Sequence, residues 1–226
     1  MASNDWQPVR AEGRKLADTW WGKAWDDNLE RYSDYSNRIG RGRTYLRNGA
    51  VLDLRISGGT AKAKVQGSRS RPYDVSVTID PLDDAREDEI LSRCSSRIST
   101  VEALAAGDIP EDVREVFTAQ GGLFPSPREI HFRCSCPDWA HMCKHVAAVL
   151  YGIGKRFDDD PLLFFELRGM DFEPMIGKSV DRKLESMLAN AEKPSDRIIP
   201  GDELVGLFGV VGSGDTSAPV KKRGKR

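Results

Sequence analysis

Three cysteines and one histidine lie within twelve residues of each other in the segment FRCSCPDWAHMCKHVAAVLYGIG. The pattern is Cys-x-Cys, six further residues, and then Cys-x-His, formed by Cys134, Cys136, Cys143 and His145. Thiolate sulfur and imidazole nitrogen are the ligands that Zn²⁺ prefers in a tetrahedral site. Two close ligand pairs joined by a turn can supply four such ligands at a small cost of loop closure. The spacing therefore predicts one structural zinc ion held by these four side chains.

Two other histidines could compete for the fourth ligand position. His141 precedes Cys143 by two residues, and His131 precedes Cys134 by three. Neither lies in the helical turn expected after Cys143, so His145 is favoured. The remaining cysteine, Cys94, is forty residues from the cluster and is predicted to be an ordinary thiol.

The residues around the ligands indicate a strand, a turn and a helix. The segment 130–134 alternates between apolar and polar residues, and Pro137 with Asp138 supplies turn chemistry. Apolar residues then recur at helical spacing, at Val146, Val149, Leu150 and Ile153. We expect Cys143 at the entrance of this helix and His145 in its first turn.

This pattern resembles the signature of the SWIM zinc finger over residues 130–154, with every ligand position filled. The whole chain also looks like the stand-alone bacterial SWIM proteins, through its tryptophan-rich start and the stretch from GRGRTYLRNG to VQGSRSRPY. The resemblance implies DNA binding or protein–protein contact, often in association with SNF2-type helicases. It also implies a link with recombinases, since some relatives act as their partners.

The chemistry expected of this cluster is structural. A catalytic zinc keeps one position open for water, whereas four protein ligands close the site. Three thiolates and one Zn²⁺ ion also give the site a net charge of about −1, which makes the bound ion a poor Lewis acid. The chain has no phosphate-binding Walker loop, no His-Glu-x-x-His and no Gly-x-Ser-x-Gly. The acidic run at 83–89 could be imagined as a nuclease site but is typical of a helix start, so we expect no catalytic residues, no small-molecule substrate and no enzyme.

The rest of the chain predicts an α+β fold in which an antiparallel β-meander packs against helices and carries the small zinc-bound module. An amphipathic helix is expected over 18–32, capped by Asp18, with its tryptophans in the core; base stacking by Trp20 or Trp21 is the alternative. A four-stranded meander is expected over 43–79, with tight turns at Asn48-Gly49 and Gly58-Gly59. Its first strand would turn Arg43, Tyr45 and Arg47 outward, and its second would place Leu52, Leu54 and Ile56 on one apolar face. The inward residues of the last two strands would be Ala61, Ala63, Val65, Tyr73, Val75, Val77 and Ile79. Helices are expected between 81 and 120.

These elements suggest a division of the chain into four parts. Residues 1–125 would form the meander and helical domain, 126–156 the zinc module, 157–211 a C-terminal helical segment, and 212–226 a disordered basic tail. No apolar run approaches the roughly 18 residues of a membrane span, and the start lacks the features of a secretory signal. We therefore expect a cytoplasmic protein without a membrane partner.

The charges are segregated although the net charge of the chain is −1. Between Arg38 and Arg71 there are nine Lys or Arg residues against one acidic residue, and between Leu82 and Pro125 there are ten acidic residues against four Arg. A basic surface with an inserted aromatic residue suits phosphate contact and base stacking. An ordinary solvated sheet face is the alternative. The candidate nucleic-acid-binding residues are Arg41, Arg43, Tyr45, Arg47, Arg55, Lys62, Lys64, Arg69, Arg71, Arg133 and Lys144.

Together these features predict a non-catalytic, zinc-binding accessory protein. Its expected partners are DNA and a SNF2-type ATPase or another DNA-processing protein. One alternative is a pure protein–protein interaction adaptor, for example a partner of a recombination factor. The other alternative is an RNA-binding factor, because the sequence does not reveal contacts to a 2′-hydroxyl group.

Overall fold

The computed structural model describes residues 5–31, 36–97, 103, 106–119, 121–138, 140–170 and 188. The chain divides into two compact units, Met1–Asp181 and Arg182–Arg226. Only Leu188 is described in the second unit, so the fold below is that of the first. It combines helices with a four-stranded antiparallel sheet in the order β1-β2-β3-β4, which is the α+β class expected from the sequence.

The strands of the sheet are β1 (Val51–Ser57), β2 (Thr60–Val65), β3 (Tyr73–Ile79) and β4 (Ile130–Cys134). The tight β1–β2 turn is the predicted Gly58-Gly59 pair, in which both residues have positive φ, as a type I′ hairpin requires. The predicted inward residues of β2 and β3 are buried: Ala61, Ala63, Val65, Tyr73, Val75, Val77 and Ile79.

Strand β1 departs from simple alternation. The register shifts between Val51 and Asp53, which leaves Leu52 as the extra residue of a bulge. Val51 and Leu54 are consequently the buried residues of this strand, and Leu52 and Ile56 are only partly buried. The prediction that Leu52, Leu54 and Ile56 share one buried face was therefore wrong at its first position.

The first strand of the predicted meander is instead a helix, α2 (Ser36–Arg47). Arg43, Tyr45 and Arg47 alternate as in a strand. The same segment also has a helical repeat, because Ile39, Gly42 and Leu46 are three and four residues apart, and these are the residues that are buried. Burial against the long helix α5 (Lys144–Asp159) decides between the two periods. The fourth strand comes from the predicted metal module, because β4 pairs with β3.

The Asn48-Gly49 pair ends helix α2 and does not form a hairpin. The Gly49 N–H donates to the Leu46 carbonyl, and the Ala50 N–H donates to the Tyr45 carbonyl. With φ of +69° at Gly49, this is a Schellman motif, which needs the same left-handed glycine as a type I′ turn. The prediction of a tight hairpin at Asn48-Gly49 was therefore wrong, because a helix and not a strand precedes the left-handed glycine.

The other helices whose bounds the structure describes are α1 (Trp20–Glu30), α3 (Asp84–Arg97), α4 (Arg114–Thr118) and α6 (Leu163–Leu167), with short 3₁₀ turns at Glu111–Val113 and Pro127–Glu129. Thr19, rather than the predicted Asp18, caps α1, because its hydroxyl accepts the Gly22 N–H. Trp21, Trp25 and Leu29 are buried as predicted, which leaves Trp21 unable to stack on a base.

Helix α5 organises the core, since it packs against all four strands and against α1, α2 and α6. The other face of the sheet carries polar and charged side chains. The predicted C-terminal segment beyond residue 170 and the basic tail lie outside the described residues, Leu188 excepted. Strand β4, which was assigned to a separate module at 126–156, lies within the compact unit Met1–Asp181. No helix in the described part of the chain is long and apolar enough to cross a membrane.

Candidate metal centre and adjoining basic surface

The four predicted metal ligands are brought together where β4 ends and α5 begins. Cys134 is the last residue of β4, where it pairs with Val75 of β3. Cys143 is the N-cap residue of α5, and His145 lies in the first turn of that helix. Cys136 lies in the connection between the two elements. The predicted strand–turn–helix arrangement is therefore what positions these side chains.

The ligand atoms of Cys134, Cys136, Cys143 and His145 all lie within 4.8 Å of one another, so the cluster could hold a metal ion. The His145 Nδ1 atom is 3.9 Å from the Cys134 sulfur and 3.8 Å from the Cys143 sulfur. A tetrahedron with Zn–S near 2.3 Å and Zn–N near 2.0 Å has N–S edges of about 3.5 Å and S–S edges of about 3.8 Å. The donor set and its spacing thus fit a zinc ion with His145 ligating through Nδ1.

Aromatic rings fix the orientation of His145, which is 3% exposed. Its ring lies 4.6 Å from that of Tyr73 and 5.3 Å from that of Tyr45, measured between centroids. Its Nε2 atom is buried and has no hydrogen-bond partner within the described part of the chain. Nδ1 is therefore the nitrogen that faces the sulfur atoms, and aromatic packing supplies the positioning that a hydrogen bond to Nε2 often provides in metal sites.

The three cysteine thiols of the cluster differ in pKa. The pKa of Cys143 is lowered to about 4, because the Cys134 thiol, and then His145, form hydrogen bonds with its sulfur. That same hydrogen bond, followed by burial, raises the pKa of Cys134, and burial raises the pKa of Cys136. One thiolate is thus already stabilised inside the cluster, which favours binding of a cation.

A surface ion pair ties helix α2 to the loop that carries Cys136. Arg38 donates to the Asp138 carboxylate at 2.6 Å, and this bond is the main cause of the raised Arg38 pKa. Burial opposes this rise, and negative charge on the Cys143 and Cys136 sulfur atoms adds to it. The sequence did not single out Arg38 because its role depends on α2 being a helix that reaches this loop.

The competing histidines lie apart from the cluster. The His131 Nε2 atom is 2.8 Å from the Asp80 carboxylate on the outer side of the sheet, and His141 is exposed with its ring edge-on to Phe132. Neither belongs to the group of side chains that could hold an ion. Cys94 is fully buried in the apolar core on α3, and burial raises the pKa of its thiol to about 12.

The candidate nucleic-acid-binding residues separate into two groups. Four lie on the outer face of the sheet, where Arg55 pairs across the strands with Lys62, Lys62 with Ser76, and Ser76 with Arg133; Lys64 is the fourth. Together with neighbouring polar residues they line a groove of about 920 Å³. Arg69 and Arg71 are exposed in the β2–β3 loop, and Arg69 lies 5.9 Å from the centre of the Tyr73 ring.

The other candidates lie among the helices, so the prediction that Arg43, Tyr45 and Arg47 share an outward strand face was wrong. Arg43 bonds to the Tyr151 hydroxyl and to Glu30, and Arg47 donates to the Arg14 carbonyl. Tyr45 packs against His145 and lies under the Lys144 ammonium group. Arg41 is exposed on α2. Helical geometry turns Arg43, Tyr45 and Arg47, but not Arg41, toward α1, α5 and the N-terminal segment.

Comparison with known proteins gives one informative similarity. No protein family model matches the chain, and no solved structure matches it. The chain is similar to the uncharacterized protein Rv2102 of Mycobacterium tuberculosis (strain ATCC 25618 / H37Rv), with 36% identity over 170 residues. The match covers 74% of this chain and 61% of that protein's length. The case for a function therefore rests on the side chains of this chain.

Proposed function

We propose that this chain is a non-catalytic accessory protein that binds one structural zinc ion and DNA, and that docks a SNF2-type ATPase or another DNA-processing partner. The observation that carries the proposal is the position of Cys134. This ligand ends the edge strand β4, whose preceding residue, Arg133, lies on the outer face of the sheet. A metal ion at Cys134 would hold that basic face in place.

The donor set supports a structural role for the ion. Four ligands from one short segment saturate a tetrahedral site and leave no position for a water nucleophile. His145 and Cys143 are buried, and Cys134 and Cys136 are only partly exposed. The ligand pattern also resembles that of the SWIM zinc finger, which is the source of the proposed ATPase partner.

A protein-interaction adaptor is the second candidate, and the acidic side chains on the outer face favour it. Lys64 pairs with Asp74, and Arg55 pairs with Asp53 at 3.3 Å and with Asp5 at 3.6 Å. These pairs partly neutralise the face. Such mixed charges also suit a protein partner with complementary charges.

Two measurements test the proposed function. Elemental analysis of reductively purified protein should find one zinc ion per chain, and a mobility shift should show DNA binding that weakens steeply as salt rises. A native pull-down with and without nuclease separates the candidates, because an ATPase that stays bound after nuclease treatment is a protein partner. Protein without metal would refute the zinc centre, and metal-loaded protein that binds an ATPase but no nucleic acid would favour the adaptor.

A further inference from the structure

The outer face of the sheet has one row of side chains that crosses all four strands. Arg55, Lys62, Ser76 and Arg133 are successive register partners on β1, β2, β3 and β4. Side chains that are paired in this way project from the same face of a sheet. The described helices that contact the sheet do so on the side of its buried residues, through α5 above all. The row therefore faces outward.

Two of the three cations in this row are available for a ligand. Among the described residues, neither Lys62 nor Arg133 forms an ion pair, and both are exposed. Arg55 is held in part by Asp53 and Asp5. Ser76 lies between Lys62 and Arg133 and can add a hydroxyl donor. These side chains form a set of hydrogen-bond donors whose charge is complementary to phosphate.

The dimensions of the row suit a duplex. Neighbouring strands lie about 4.8 Å apart, so Lys62 and Arg133 are separated by roughly 10 Å and Arg55 and Arg133 by roughly 14 Å. The major groove of B-DNA is about 12 Å wide, so cations at the two ends of the row can contact phosphates on both of its sides. The outward-facing residues of the four strands include no Phe, Tyr or Trp. They are Asp53, Arg55, Ser57, Thr60, Lys62, Lys64, Asp74, Ser76, Thr78, His131 and Arg133. Without such rings the face lacks the stacking platforms on which single strands depend.

We propose that the outer face of the sheet, through the row Arg55–Lys62–Ser76–Arg133, binds the phosphate backbone of duplex DNA without reading its sequence. This inference rests on the proposed DNA-binding function and specifies its surface and its substrate form. Binding through phosphates releases counterions, so the affinity depends on salt and hardly on base sequence. Arg43 and Arg47 of helix α2 do not belong to this DNA-binding surface, because their guanidinium groups form hydrogen bonds within the protein.

The test compares two double variants of the full chain with equal loss of charge. Lys62→Ala with Arg133→Ala removes two cations from the outer face, and Lys15→Ala with Arg31→Ala removes two exposed cations that lie outside the sheet and are not among the candidate nucleic-acid-binding residues. Binding to a 20-base-pair duplex of mixed sequence and to its single strand is measured across a salt series. We expect the first variant to lose at least tenfold in duplex affinity and to reduce the salt slope by about 2, and the second to lose less than threefold.

Each result has a distinct meaning. Equal losses in the two variants, or an unchanged affinity in the Lys62/Arg133 variant, would overturn the assignment of the surface while leaving DNA binding in place. A wild-type preference for the single strand would overturn the duplex form. Absence of any nucleic-acid binding by the zinc-loaded wild type would refute both this inference and the DNA-binding part of the proposed function. Circular dichroism of both variants checks that a loss does not come from misfolding.

Discussion

The ring of His145 lies against the ring of Tyr73, with 4.6 Å between their centroids and 39° between their planes. This contact joins the first turn of α5 to the start of β3, so that a predicted metal ligand is held by a residue of the sheet. Gly67 lies over both rings, since a Cβ atom there would stand 2.9 Å from Tyr73 Cδ2 and 3.0 Å from His145 Nε2. The absence of a side chain at position 67 lets the two rings approach.

The first prediction concerns this glycine. Gly67→Ala should shift the Tyr73 ring or the loop, and overpacking of this kind costs about 1–3 kcal/mol. The zinc affinity should fall with the stability, because the displaced ring is the one that orients His145. Thermal unfolding and competition for zinc with a chelator measure the two effects. Ser68→Ala, at the exposed neighbouring residue, is the control and should change neither.

Much of the site could be predicted from the sequence because its signals are local. The ligands Cys134, Cys136, Cys143 and His145 come from one short segment, and their types and spacing suffice to group them. The strands β2 and β3 follow from alternation with small turn residues between them. In each case the information lies within about ten residues of the chain.

What the sequence did not reveal depends on contacts between distant segments. Strand β4 joins the sheet through pairs such as Val75 with Cys134, and the local sequence of neither strand indicates which strand it pairs with. The alternation at Arg43, Tyr45 and Arg47 fits a strand and a helix equally well. Only packing of α2 against α5 selects the helix, and the close approach at Gly42 makes that packing possible.

The second prediction tests that packing with two glycines of the same helix. A Cβ atom at Gly42 would stand 2.5 Å from Ala147 Cβ and 2.7 Å from the backbone carbon of Ala147. Because a backbone cannot yield cheaply, Gly42→Ala should destabilise the protein by about 1–3 kcal/mol or more. For a chain of this size, each 1 kcal/mol lowers the Tm by roughly 2–4 °C.

Gly40 provides the matched control for Gly42. It is exposed on α2, and a Cβ atom there would meet nothing within 4 Å. Gly40→Ala should therefore stabilise the protein by about 0.5–1 kcal/mol, since alanine loses less conformational freedom in a helix. Opposite signs for the two substitutions support the described α2–α5 contact. Destabilisation by both, or by neither, would show that α2 packs in another way.

The third prediction concerns Asp26, a carboxyl group of α1 that is 8% exposed. Burial, and then the negative charges of Glu30, Asp158 and Asp27, raise its pKa to about 8, although Arg43 opposes the rise. In the unfolded chain the group ionises near pH 4. Between pH 4 and 8 the folded state therefore holds a proton that the unfolded state releases, and stability falls as the pH rises.

Asp26→Asn should remove this loss, because the amide is neutral at every pH and similar in shape. Urea unfolding at several pH values should find the variant and the wild type similar near pH 4. The variant should gain over the wild type by roughly 2–4 kcal/mol at pH 7, and the difference should level off above pH 8. A constant difference across the pH range would contradict the assigned titration.

The last prediction distinguishes the predicted metal ligands from other cysteine and histidine residues of the chain by their effect on zinc binding. Cys143→Ser and His145→Ala should each abolish stoichiometric zinc binding, because each removes one of four donors that close the site. His141→Ala should keep one zinc per chain, since that side chain is exposed and stands apart from the cluster. Cys94→Ala should also keep it, while lowering the Tm through a cavity in the core.

Structural zinc contributes roughly 10–16 kcal/mol of binding free energy in small fingers, which unfold without it. Here α5 is buried against the sheet and β4 is paired with β3, so the ligand variants should lose Tm yet retain most of their helical circular dichroism. The end of β4 should lose its anchor, and amide hydrogen exchange at residues 132–136 should therefore rise in the ligand variants alone. Full zinc occupancy in both ligand variants would show that the ion is held by other side chains.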